Sequence, residues 1–111
     1  MPSGPGTVVT STARTTTGNS GALKAPSEPN LSLLAVVSAA SGTTPSMTLS
    51  VEWSADGTNF VPADTADSFT AITTANGLTK RFTTKSAFYR VVWTITGTTP
   101  SFTFSVSEMG F

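Results

Sequence analysis

The chain has 111 residues, no cysteine and no histidine, and its six acidic and six basic side chains give a formal net charge of zero. This length fits one domain with its own core. The missing histidine and cysteine exclude the usual catalytic triads, zinc sites and thiol nucleophiles. Nucleic-acid binders carry basic clusters, and Lys80-Arg81 is the only adjacent basic pair, so we expect no nucleic-acid partner.

Small hydroxyl side chains dominate the composition, with 22 Thr and 15 Ser. Thr suits the pleated, half-buried surface of a sheet, whereas Lys, Glu and Arg occur three times each and Gln is missing. The longest purely apolar run, 33–37, is far too short to cross a membrane. The first residues lack the basic and apolar regions of a signal peptide. We therefore expect an all-β protein with no membrane partner.

Residues 1–30 differ from the rest, because they contain four of the seven Pro and four of the nine Gly. After the first residue, their large apolar side chains are Val8, Val9 and Leu23. So few apolar groups cannot offset the entropy lost on ordering. We predict a flexible or extended N-terminal arm here, followed by a domain over 31–111, and deletion of residues 2–28 is expected to leave the melting temperature unchanged.

Two interpretations of the arm stay open. It is either a disordered tail or a docking segment that orders on assembly. In the second case Val8, Val9 and Thr10 are the candidate contacts, since this β-capable stretch can add a strand to an exposed sheet edge of another subunit.

From residue 31 onward, short apolar stretches alternate with turn signals. The first is apolar on both faces, and most of the others alternate between apolar and hydroxyl side chains. Asp56-Gly57 predicts a turn, and Asn76-Gly77 predicts a hairpin. The predicted strands are Leu31–Ala40, Ser46–Ser54, Asn59–Val61, Ser68–Thr74, Leu78–Thr83, Ala87–Thr96 and Ser101–Ser107.

About seven short strands at this spacing predict an antiparallel β-sandwich of the jelly-roll or immunoglobulin-like kind. The inward-facing members of the alternating strands define the predicted core. They are Leu33, Val37, Met47, Leu49, Val51, Trp53, Tyr89, Val91, Trp93, Ile95, Phe102, Phe104 and Val106.

The sequence contains an internal repeat: residues 41–51 recur as 96–106, with eight of eleven positions identical. Each copy contains Gly-Thr-Thr-Pro-Ser, which predicts a hairpin loop because Gly accepts a left-handed backbone and Pro opens the return strand. The repeat is either a folding unit used twice, giving a pseudo-two-fold, or a pair of recognition loops. The candidate contact residues in the loops are Thr43, Thr44, Pro45, Thr98, Thr99 and Pro100.

The acidic and aromatic residues offer only weak sites. No two carboxylates are paired as glycoside hydrolysis requires. Asp64 and Asp67 flank a predicted turn, where capping is favoured over calcium binding, which needs six or more oxygens. We expect no catalytic, metal or cofactor site. A sugar-stacking surface would need exposed rings among Phe60, Phe69, Phe82 and Phe88.

Three motifs occur in order: a strand, Ser-x-Asp-Gly turn and aromatic strand over Leu49–Phe60, then Phe88–Trp93, then the second repeat copy. Together they resemble small β-sandwich virion structural proteins of tailed bacteriophages, over about residues 31–110. The resemblance implies a virion protein made in the host cytoplasm and without an active site. We expect a head decoration protein that binds the major capsid protein or other virion subunits and forms a homo-oligomer in the particle. A tail or fibre module that binds host-surface carbohydrate is the alternative.

Overall fold

The computed structural model describes residues 3–111, and their side chains from residue 6 onward. The described chain is all-β, and every strand pairing in it is antiparallel. The strands are β1 (Ser3–Arg14), β2 (Gly18–Asn19), β3 (Leu23–Lys24), β4 (Asn30–Ser54), β5 (Val61–Ser68), β6 (Asn76–Thr83) and β7 (Phe88–Gly110).

Two long strands form the backbone of the fold. β4 and β7 pair along almost their entire lengths, from Leu31 opposite Gly110 to Ser54 opposite Phe88. The predicted hairpin loops at the two Gly-Thr-Thr-Pro-Ser segments are therefore wrong, because the chain continues through each segment without reversing. The two segments lie side by side, with Thr43 opposite Thr98, and each strand bends there.

The bend divides the β4–β7 ribbon between two sheets. In the first sheet, β6 and β1 flank ribbon segments 30–41 and 101–110. In the second, β5 flanks segment 46–54, while β2 and β3 flank segment 88–96. The sheets face each other: the ring centroids of Trp93 and Phe104 are 5.4 Å apart, and those of Phe69 and Phe82 are 5.7 Å apart. The predicted β-sandwich is confirmed.

All thirteen predicted core residues are buried. The alternation was informative because successive side chains of a strand point to opposite faces. The core also contains six residues outside that prediction: Val9, Leu31, Ala35, Phe69, Ile72 and Phe82. Segment 31–40 is not buried on both faces, since Leu34 and Val36 are 45% and 44% exposed.

The N-terminal residues are part of the sandwich. Residues 3–14 are extended, as one form of the predicted arm required, but they pair with β7 as the edge strand of the first sheet. Val9 is only 3% exposed and lies in the core, while β2 and β3 pair with β7 in the second sheet. The expected boundary near residue 30 is thus not visible in the strand pairing. The first two residues of the predicted arm lie outside the described residues.

Two local predictions need correction. Asn76-Gly77 does not turn a hairpin: it begins β6 and pairs with Val37 and Val36, while β5 belongs to the other sheet. Pro62 does not stop a strand either, since it lies in β5 opposite Glu52. An edge strand accommodates proline because its outer side has no ladder partner.

Every ladder of the described chain joins one half of the sequence to the other. β1 to β4 form the N-terminal half, residues 3–54, and β5 to β7 form the C-terminal half, residues 61–110. No two strands within the same half pair with each other in a ladder. The halves therefore interlock about a pseudo-two-fold axis at the bend, and the repeat detected in the sequence is the central part of this larger duplication.

Candidate assembly surface at the ribbon bend

The bend consists of residues 42–45 and 97–100, and close backbone packing requires its glycines. Gly42 and Gly97 have φ angles of 117° and 122°. A Cβ on Gly42 would lie 2.8 Å from the Cα of Pro100, and one on Gly97 would lie 3.0 Å from the Cα of Pro45. The matching values show that the two segments contact each other almost symmetrically.

The residues after the paired threonines are strained. Thr44 and Thr99 have φ angles of 46° and 45°, in the left-handed region that is unfavourable for β-branched side chains. Such a conformation costs on the order of 1–2 kcal/mol per residue. Each hydroxyl donates a 2.8 Å hydrogen bond to the preceding carbonyl, of Thr43 or Thr98. The same strained geometry thus occurs twice at one end of the molecule.

The bend presents a neutral hydroxyl surface. Its four threonines are exposed, its two prolines are half-buried, and neither segment contains an ionisable side chain. Such a surface offers van der Waals contact and hydrogen bonds, without a group that acts as a base or a metal ligand. The structure therefore brings together all six candidate contacts of the repeat.

The other three candidates lie elsewhere. Val9 is opposite Val106, well along the first sheet from the bend. Its burial removes it as a free contact; Val8 is half-buried, and Thr10 is exposed. The Arg14 guanidinium also folds back onto β1 and donates a 3.1 Å hydrogen bond to the carbonyl of Thr10. In this chain the segment pairs with its own β7, and only Thr10 offers its side chain to a partner.

The proposed calcium position is occupied by internal contacts. Asp67 accepts a 2.8 Å hydrogen bond from the Trp53 indole and forms a 2.9 Å salt bridge with Lys85. Both Asp64 and Asp67 lie on β5 and not beside a turn. Among residues 3–111, no cluster of three acidic side chains is arranged to hold a metal ion.

The predicted Asp56 turn is present and tightly bonded. Gly57 has a φ angle of 77°. Asp56 Oδ1 accepts 2.8 Å hydrogen bonds from the backbone amides of Thr58 and Asn59, and from the Ser54 hydroxyl. These bonds, led by that of the Asn59 amide, hold the pKa of Asp56 well below its usual value. The turn therefore contributes more stability when Asp56 is ionised.

The aromatic residues do not form a broad stacking surface. Phe69 and Phe82 are buried in the core. Phe60 is half-buried with the Arg90 guanidinium 5.0 Å from its ring centroid, and Phe88 is half-buried beside Gly57. Two partly covered rings remain of the four that were considered.

A buried tyrosine links the sheets near the end opposite the bend. The Tyr89 hydroxyl donates a 2.6 Å hydrogen bond to Glu108, which lies in the first sheet. Burial, followed by the hydrogen bond and charge of Glu108, raises the pKa of Tyr89 above its usual value. The tyrosine therefore stays neutral and serves as a donor.

Sequence reasoning found both bend segments but missed that they contact each other. It also missed Arg14, whose guanidinium lies 4.8 and 4.7 Å from the ring centroids of Trp93 and Phe104. The 55-residue offset of the repeat was the available signal for the bend. Arg14 had no comparable signal, because its partners are remote in sequence.

Within residues 3–111, no helix has the length and apolar character needed to cross a membrane. Comparison with known protein families, curated proteins and solved structures gives no match to this chain.

Proposed function

We propose that this chain is a structural subunit of a tailed-bacteriophage particle, a head decoration protein bound to the capsid lattice. The observation that carries the proposal is the exposed, uncharged bend, where a repeated segment presents four threonines at one end of a small sandwich. The sequence resemblance described above supports the virion role. The bend is the expected attachment surface.

Charge and shape support a subunit present in many copies. The molecule measures 41 × 26 × 21 Å, and its net charge is zero. A neutral surface does not repel neighbouring copies, so it favours close packing on a lattice. The expected partners are the major capsid protein and neighbouring copies of this chain.

Labelled particles test the location. The tagged chain is produced in cells that assemble the particle, and purified particles are imaged with a label on the tag. Regular labelling of the head is expected. Labelling confined to the tail or fibre supports the alternative carbohydrate-binding module, and particles without the protein refute a virion role.

A matched pair of substitutions tests the surface. Thr98→Lys places a charge on the bend, while Thr79→Lys places the same charge on exposed β6. We expect only Thr98→Lys to reduce occupancy on the head at least tenfold, with similar melting temperatures for both variants. Equal occupancy of the two would exclude the bend as the attachment surface.

A further inference from the structure

We propose that two copies of this chain exchange their C-terminal halves, residues 61–111, to form an intertwined dimer. The inference does not depend on the virion role. It starts from the pairing pattern, in which every ladder of the described residues joins residues 3–54 to residues 61–110. A C-terminal half from a second copy can supply the same ladders with the same register.

The connection between the halves is short and lies at one place. The β4–β5 hairpin turns through residues 55–60, and Asp56 holds the turn together. If the turn opens, six residues span about 20 Å, close to the shortest dimension of the sandwich, 21 Å. The opened connection can therefore run between two adjacent sandwiches, and only the turn's own hydrogen bonds are lost.

Core side-chain sizes decide which halves can combine. The pseudo-two-fold relates positions in the two halves, and the C-terminal member is larger in most pairs. The pairs are Leu33 with Tyr89, Ala35 with Val91, Val37 with Trp93, Met47 with Phe102, and Leu49 with Phe104.

Two C-terminal halves would therefore overfill the core, and two N-terminal halves would leave cavities. Both changes destabilise a packed interior. Each half thus selects its unlike counterpart, from its own chain or from a second copy. The exchanged dimer contains only unlike pairs, so it preserves the packing of the monomer.

Concentration determines which partner is used. A short flexible link gives an effective concentration on the order of 1 mM for the half on the same chain. Exchange should therefore become appreciable when the chain folds at comparable local concentrations. Wild-type protein refolded at about 1 mM should contain a dimer of twice 11.4 kDa, while protein refolded a hundredfold more dilute should be almost entirely monomeric.

Complementation between damaged full-length chains gives the decisive test. Leu49→Asp damages the N-terminal half and Phe104→Asp the C-terminal half, since both side chains are fully buried. The variants are refolded together in urea that unfolds each alone but leaves the wild type folded. Exchange creates one sandwich with both substitutions and one with neither. We expect up to half the wild-type near-ultraviolet circular dichroism signal, in a species of dimer mass.

The control combines Leu49→Asp with Met47→Asp, where every sandwich receives a damaged N-terminal half and no signal should return. A test mixture that stays as unfolded as this control would overturn the proposal.

A second measurement uses the connection itself and needs no damaged core. Deleting residues 56–58 makes the turn too short to reverse the chain, so the variant should fold only as a dimer. Inserting Gly-Ser-Gly after Gly57 is the control and should give a monomer. A folded monomer from the deletion variant, or a deletion variant that does not fold at any concentration, would also contradict the exchange.

Discussion

Gly42→Ala tests the close packing of the bend, at a residue whose exposure suggests tolerance. The φ angle of 117° is one that side-chain-bearing residues rarely adopt, which costs about 1–3 kcal/mol. The added Cβ would also lie 2.8 Å from the Pro100 Cα and the Thr99 carbonyl oxygen. Because both are backbone atoms, they cannot rotate away, and overpacking adds about 1–3 kcal/mol. The expected loss is therefore about 2–6 kcal/mol.

Gly77→Ala is the matched control. A Cβ there would have its nearest neighbour at 3.9 Å, and its φ lies outside the left-handed region. The substitution should be neutral or stabilise by up to about 1 kcal/mol, since glycine weakens a strand. The pseudo-two-fold further predicts that Gly97→Ala resembles Gly42→Ala.

Urea unfolding followed by tryptophan fluorescence measures the difference. With a slope of about 1–3 kcal/mol per M for a small protein, the Gly42→Ala midpoint should fall by about 1 M or more. A Gly42→Ala midpoint equal to that of Gly77→Ala would refute the assigned bend geometry.

Four other outcomes are expected. Phe104→Ala should lose about 3–5 kcal/mol through its cavity, measured by urea unfolding, whereas exposed Val61→Ala should lose little; equal losses would contradict the core assignment. Thr99→Asn should raise stability by about 1 kcal/mol, because Asn tolerates the left-handed region better; a loss would argue against strain there. The folded pKa of Asp56 is below its usual 3.8, so the unfolded chain takes up this proton first and stability should fall as pH drops below about 4; Asp56→Asn should reduce that dependence in acid titrations followed by circular dichroism. Deleting residues 2–28 should now lower the melting temperature strongly, since it removes β1 to β3; an unchanged value would restore the separate arm.

The sequence predicted the faces of the strands but not their partners. Alternation is local, so Met47 and Phe102 were assigned to the core correctly. A glycine with positive φ suits both a hairpin loop and a bend in a continuous strand, so Gly42 alone does not distinguish them. The same limit applies to Asn76-Gly77, whose role depends on whether the flanking strands share a sheet.

The N-terminal residues and the candidate surface illustrate the same limit. Entropy argues against order in residues 1–30 considered alone, but β7 offers an edge that pairs with them. The repeat identified Thr43 and Thr98, and only the register of β4 against β7 shows that they are neighbours.

The interlocked halves have a consequence for synthesis on the ribosome. β1, β2 and β3 pair only with β7, which is translated last. These strands must therefore wait, unpaired, until nearly the whole chain has emerged. Long-range β pairing of this kind folds slowly and leaves strand edges exposed in the meantime. Chaperone occupancy on nascent chains should accordingly persist until β7 leaves the exit tunnel.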